Sequence, residues 1–443
     1  MLAKKESLTY KKIFFFWIPL AATWLMMAIE GPFLAAIIAR LANPKFNLAA
    51  FGVAFSFAVF IEAPVIMIMS ASTALAKDRD SYIKLRNFTF VLNGITTAVM
   101  IIFIIPPIFY FITQGLIGLP ENVAKLTHHA FIFILPWPAA IGYRRFYQGI
   151  LIRSNLTRRV AYGTIIRLMA MVMTSLTCYL FFDLNGALVG TLSLAVAVSA
   201  EAVASTIMVH PSVRHLSLKE INPERSEETP ISYRYITKFY YPLALTSILG
   251  IGVYPMVTFF LGKSRMPIES LAVLPVINSL VFIFRSLGLS FQEVGIALLE
   301  KNKNAFKPLR NFAFGLGIVL VCFLSLITLT PFSYIWFYKI SGLSLELTIF
   351  AKFPAQIATL LPGLTVLISL QRALLINNKK TTPITIASSI EVICIFTILL
   401  VTISAFNWVG AIAAAAALVI GRLLTNGYLV WPCLKVLKRE ENI

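Results

Sequence analysis

Apolar stretches alternate along the chain with short polar or Pro/Gly-marked breaks. Each stretch reaches the about 20 apolar residues that a helix needs to cross a bilayer. Twelve spans follow, approximately 13–39, 48–76, 88–114, 126–152, 160–182 and 186–209, then 236–261, 267–299, 312–337, 345–376, 383–405 and 409–434. A basic lead of Lys4, Lys5, Lys11 and Lys12 precedes the first span as it would in a signal peptide. That span is too long and lacks a small-x-small cleavage site, so it reads as a retained helix.

The pattern repeats. A shift of 223 places Pro19-Leu20-Ala21 on Pro242-Leu243-Ala244, Leu48-Ala49 on Leu271-Ala272, and Gln148 and Leu151 on Gln371 and Leu374. A shift of 224 places Leu85-Arg86-Asn87-Phe88 on Leu309-Arg310-Asn311-Phe312 and Gly186-Ala187 on Gly410-Ala411. A register held within one residue over five spans predicts two copies of a six-helix unit. Six is even, so the copies are parallel, the arrangement of one class of secondary transporter, with substrate expected between lobes that rock in alternating access. The predicted lobes are 1–209 and 235–443, joined by a polar, proline-marked cytoplasmic linker at 210–234. The fold class is an all-α polytopic membrane protein of about twelve transmembrane helices.

Composition agrees, with 58% hydrophobic and 13% charged residues among 443. A soluble domain has roughly 45–50% and ~25%. The net charge of +19 resembles a nucleic-acid signature, but alternate segments hold 25 of the 38 Lys and Arg while the opposite set holds Arg40, Lys45, Lys125, Lys263, Arg265 and Lys339. Basic residues favour the cytoplasmic side, so both termini are expected there, in a plasma (inner) membrane, with no nucleic-acid partner. Cys178, Cys322, Cys394 and Cys433 lie in apolar stretches without metal spacing, and His128, His129, His210 and His215 fit no catalytic motif. No H-E-x-x-H, G-x-S-x-G or P-loop occurs, so neither an enzyme nor an ATP-driven pump is expected, and no metal or cofactor beyond a coupling ion.

Ionisable groups at bilayer depth cost a few kcal/mol at least and mark candidate sites. Glu30 precedes Gly31-Pro32, where a loosened helix and a carboxylate together suit a proton or sodium ion; the alternative is a packed kink. Glu62 falls on Arg285 in the 223 register, giving an opposite-charge pair at a pocket or a lobe-docking pair. Glu293, eight residues beyond Arg285, lies roughly 80° round the same helix. In Tyr143-Arg144-Arg145-Phe146-Tyr147-Gln148, the two guanidinium groups, the Gln148 amide and the Tyr147 hydroxyl can converge on one ligand. Arg372 in the second copy is at similar depth, and snorkelling to anionic headgroups is the other reading for these arginines. Arg167 and Arg422 read as interhelical residues, and Glu201 and Glu391 as structural ones.

With Phe16–Ala21 and Phe239–Ala244 sharing F-x-x-P-L-A, and Gln148-Gly149-Ile150-Leu151-Ile152-Arg153 closing the fourth span before a basic loop, the chain resembles the multidrug and toxic compound extrusion (MATE) superfamily. The segments 239–245, 48–56 and 375–381 resemble its progressive ankylosis-like branch. The resemblance implies a V-shaped, monomeric exporter or antiporter of a small molecule, coupled to H+ or Na+, with Glu30 the best-placed acid. Classical members carry lipophilic cationic drugs, the ankylosis branch is associated with anions such as citrate, ATP and pyrophosphate, and related flippases move lipid-linked pyrophosphate precursors. Seven basic against five acidic intramembrane residues lean toward an organic anion.

Overall fold

A computed structural model describes residues 8–76, 78–154, 156–218, 232–301, 305–378, 380 and 382–441. Most of the expected linker, at 219–231, lies outside them, as do Lys4, Lys5, Lys77, Lys303 and Lys379 of the basic segments. The described residues form α1 (Tyr10–Ala28), α2 (Glu30–Arg40), α3 (Pro44–Glu62), α4 (Ile68–Leu75), α5 (Arg79–Ile104), α6 (Pro106–Tyr110), α7 (Glu121–Phe133), α8 (Trp137–Arg153), α9 (Thr157–Phe181) and α10 (Gly186–Leu218). The second copy supplies α11 (Tyr233–Ile251), α12 (Val253–Gly262), α13 (Pro267–Lys301), α14 (Phe306–Leu329), α15 (Phe332–Tyr334), α16 (Leu345–Ile357), α17 (Leu361–Asn377), α18 (Thr382–Leu399) and α19 (Gly410–Glu441). The chain is an all-helical multi-pass membrane protein.

Eleven helical segments among the described residues are long and apolar enough to cross a membrane. The expected fourth span is the exception, because the turn at Ile134–Pro136 divides it into α7 and α8 of 13 and 17 residues. Exposure has the sense lipid demands. The span Phe306–Leu329 has a mean hydropathy of 2.6 yet only 28% of its window is buried. Water would not tolerate that surface, whereas hydrocarbon does.

The repeat holds in the backbone. Helix α1 ends at Ala28 and α11 at Ile251, and each chain resumes a helix two residues later, at Glu30 and Val253. Left-handed residues recur as well, Asn43 at φ 51° with Met266 at φ 57°, and Gly118 at φ 84° with Gly342 at φ 74°. Asn47 Oδ1 accepts from the Ala187 N–H at 2.8 Å, and Ser270 Oγ accepts from the Ala411 N–H at 3.1 Å. Both bonds anchor the start of the sixth helix of their copy.

The compact units do not coincide with the lobes expected from sequence. One unit is Ile37–Gly262; the other joins the described residues up to Ala36 to those from Lys263 onward. The first span of each copy is therefore exchanged, and side-chain packing gives the reason. Ile13, Trp17 and Ala21 of α1 share a core with Phe291, Val294, Leu309 and Val366, and Trp17 Nε1 donates to Leu287 O at 3.3 Å and Ser290 Oγ at 2.9 Å. In the other unit Ile236 and Tyr240 of α11 share a core with Ile68, Ala71, Phe146 and Ile150, and the Tyr240 hydroxyl donates to Pro64 O. Tyr240 is the 223-register mate of Trp17, and Pro64 that of Leu287. Asn87 likewise donates to the Tyr233 hydroxyl at 3.5 Å, and Asn311 to the Tyr10 hydroxyl at 3.4 Å. In lipid, burial supplies no hydrophobic drive between helices, so interlocking shapes and matched polar tips decide the partner.

Candidate functional site

In the unit Ile37–Gly262, two proline breaks bring charged side chains together. Helix α3 stops at Glu62 because Pro64 lacks an N–H and disfavours helical geometry before it, so Ala63–Val65 tighten into a 3-10 turn and α4 starts separately at Ile68. Helix α8 begins after Pro136, which aims Trp137 at that end, and its indole N–H donates to Glu62 Oε2.

Trp137, Arg144 and Gln148 are spaced seven and four apart, so they share one face of α8. Arg144 pairs with Glu201 Oε2 of α10, and the Gln148 amide donates to Glu201 Oε1 at 3.0 Å. Arg167 of α9 adds a third contact, its Nε 3.5 Å from Glu201 Oε2. Glu201 is completely buried, with Arg144 5% and Arg167 8% exposed. Each Glu201 oxygen is thus occupied, which is what permits a charge to stay there.

Arg145 points elsewhere. One residue on, it is turned about 100° around α8, and its Nη1 lies 3.8 Å from the Met69 sulfur in the first turn of α4. Among the described residues no carboxylate lies within ion-pair distance of it, and its Nε has no hydrogen-bond partner. Arg144, Arg145 and Arg167 all act electrostatically on Glu62. Three arginines therefore face two carboxylates, and half-buried Arg145 carries the excess. The arrangement can attract a carboxylate or phosphate.

The convergence expected of Arg144, Arg145, Tyr147 and Gln148 on one ligand is divided. Arg144 and Gln148 are spent on Glu201, and the buried Tyr147 hydroxyl donates to Tyr143 at 3.4 Å. Arg167, Glu201 and Trp137, outside the expected site set, complete the cluster. A signal for one of them was present in the repeat, since Arg167 falls on Glu391 in the 224 register. In the second copy the polarity reverses, with Glu391 on the fifth span pairing at 2.8 Å with Arg422 on the sixth.

The other unit holds the remaining expected residues. Glu30 opens α2, one residue past the break at Ile29, and is half-buried. The break precedes Gly31-Pro32 because Pro32 falls in the first turn of α2, where its missing N–H costs nothing. A carboxylate at that position faces the positive end of the helix. Gly31 lets α2 approach α13; a Cβ there would sit 3.1 Å from that of Ser279. Arg285 Nε donates to Thr365 Oγ1 at 3.3 Å, and Glu293, on an exposed face of α13, accepts a hydrogen bond from Trp24 of α1. Glu62 and Arg285, matched by register, thus each hydrogen-bond a partner in their own unit. Arg372 donates to Ser388 Oγ at 3.2 Å.

No protein-family model matches the chain, and no curated protein matches it in sequence. Solved structures do. An inward-facing multidrug resistance MATE family transporter aligns at a TM-score of 0.72 with 12% identity, over 95% of this chain and 99% of its own. The lipid II flippase MurJ, in an inward closed conformation, aligns at 0.69 with 13% identity over 96% and 90%. A single-substitution variant of the Vibrio cholerae MATE transporter VcmN aligns at 0.59 with 14% identity over 97% of both chains. The chain therefore has the fold shared by MATE family transporters and MurJ.

Proposed function

We propose that the protein is a secondary active exporter that works by alternating access, is driven by H+ or Na+, and carries a small organic anion. The fold likeness supports transport, and the observation that carries the substrate class is Arg145, a half-buried intramembrane cation with no carboxylate bound to it. An anion would meet a guanidinium able to bind two oxygens at once. Glu30 is the coupling candidate, and cytoplasmic termini follow from the basic segments. The progressive ankylosis-like branch is the part of the superfamily to which this reading assigns the chain.

A second reading has a specific observation behind it. MurJ's match over nearly its whole length favours a lipid-linked pyrophosphate as the anion, which the same arginine would also attract. Proteoliposomes separate the two. Gradient-dependent uptake of citrate, lost in Arg145→Ala and Arg285→Ala and uncoupled in Glu30→Gln, is expected for the exporter. Leaflet exchange of a headgroup-labelled lipid pyrophosphate without citrate flux would replace it with the flippase, and movement of lipophilic cations with neither would remove the anion assignment.

A further inference from the structure

The first repeat contains a polar bowl whose lining residues are not repeated in its copy. Asn43, Asn47, Asn122, Lys125, His129 and Asn185 line a cavity of about 290 Å3 in the unit Ile37–Gly262, over the apolar surface of Phe46 and Leu126. Asn122, Lys125 and His129 are three and four residues apart, so they form one stripe on α7. Asn47 is used by the fold. Its Nδ2 donates to Ala42 O at 2.7 Å and Asn43 O at 3.2 Å, holding that loop back, while its Oδ1 anchors α10. Asn122 Oδ1 accepts from the Val123 N–H at 2.9 Å, and the side chain is exposed. Asn43, His129 and Asn185 are exposed.

The second copy shows what the fold does without such a site. The register carries Asn43, Asn122, Lys125, His129 and Asn185 onto Met266, Glu346, Ile349, Phe353 and Val409. There the equivalent loops are zipped shut, with the Arg265 N–H donating to Trp408 O and the Gly410 N–H to Arg265 O, both at 3.3 Å. The same architecture is satisfied by a closed and largely apolar version. The open, hydrogen-bonding version is a departure that folding does not require.

We propose that this bowl binds a neutral, polyhydroxylated ligand the size of a monosaccharide. Carboxamides and an imidazole offer donors and acceptors side by side, as hydroxyl groups do. Phe46 and Leu126 give the C–H face of a ring something apolar to rest on. Lys125 pairs with Glu121 at 2.5 Å on the same helix, so the bowl's cation already has a carboxylate beside it rather than standing alone for an oxyanion. The cavity lies at the bottom of the roughly 300–1,000 Å3 range of small-molecule pockets, which sets the size. This site uses none of the residues that carry the transport reading.

Saturation-transfer NMR on the full chain in nanodiscs tests it, with glucose, N-acetylglucosamine and mannitol as probes and methyl phosphate as the anion. Transfer to at least one polyol is expected in the wild type, falling at least fivefold in His129→Phe/Asn185→Val, which installs an aromatic and an aliphatic residue of the second copy at exposed positions. Asn43→Met places a residue that the second copy tolerates at the same left-handed backbone and should weaken transfer without unfolding the protein. Arg145→Ala should leave transfer intact, which separates this site from the transport reading. Absence of transfer to all three polyols, undiminished transfer in both bowl variants, or transfer to methyl phosphate alone overturns the proposal.

Discussion

Glu201→Gln removes one charge and almost no volume, and the structure dictates a large cost. Glu201 is fully buried and faces Arg144 and Arg167, themselves 5% and 8% exposed. Gln keeps one acceptor oxygen and turns an NH2 donor toward the other side, so one set of contacts to Arg144 or Gln148 is lost, at ~0.6 kcal/mol per contact in a membrane interior. The two guanidinium groups are another matter, since breaking a buried pair by removing one partner costs about 3–5 kcal/mol. At about 1.4 kcal/mol per decade, the folded-to-unfolded ratio falls roughly 10²- to 10⁴-fold. Reversible unfolding in mixed detergent micelles, followed by circular dichroism, measures it. A cycle with Arg144→Gln gives the mechanism: the double variant should recover more than about 1 kcal/mol relative to the sum of the singles. A single-variant loss below about 1 kcal/mol, or singles that add to within ~0.5 kcal/mol, would refute the assignment of Glu201 as counter-ion to both arginines.

Three further outcomes are expected. In Gly149→Ala the new Cβ would fall 1.8 Å from Ser72 Oγ and 2.5 Å from Met69 O, a backbone atom that cannot swing aside. The α4–α8 contact beside Arg145 should lose about 1–3 kcal/mol in the same unfolding assay. Gly94→Ala is the opposite case, with open space around its Cβ, and should gain up to ~1 kcal/mol from helix propensity. Tyr240→Phe deletes its one bond to Pro64 O and should lose about 0.6–1.7 kcal/mol, and Trp17→Phe, which deletes both the register-matched bond to Leu287 O and the bond to Ser290 Oγ, should lose at least as much. A loss in one alone would break the equivalence of the two copies.

Period and register are legible in the chain; choice of partner is not. The spacing of apolar runs yields twelve spans, eleven of which return as membrane-length helical segments among the described residues, and the 223/224 shifts pair positions that the backbone treats alike, as at left-handed Asn43 and Met266. Which unit a span completes depends on side-chain shape at Trp17 and Tyr240, and repeat arithmetic carries no information on that. Residue pattern puts the break near Glu30 at Gly31-Pro32 rather than at Ile29, because proline is tolerated in a first helical turn as readily as it breaks a helix. Arg144 and Arg145 are neighbours in sequence with near-identical chemistry. Only the 100° turn between them and the position of Glu201 separate the spent guanidinium from the available one.

The exchange of first spans also bears on how the chain is made. Trp17 finds its acceptors 270 and 273 residues downstream. At about 5–20 residues per second, α1 waits roughly 14–54 s in the bilayer before Leu287 and Ser290 have been synthesised. Throughout that interval it is a lone helix whose Trp17 face meets lipid, while α11 has its whole unit already inserted when it emerges. Nascent chains halted between about residues 262 and 290 should therefore hold a completed Ile37–Gly262 unit and an orphaned first helix, open to protease and to membrane quality control.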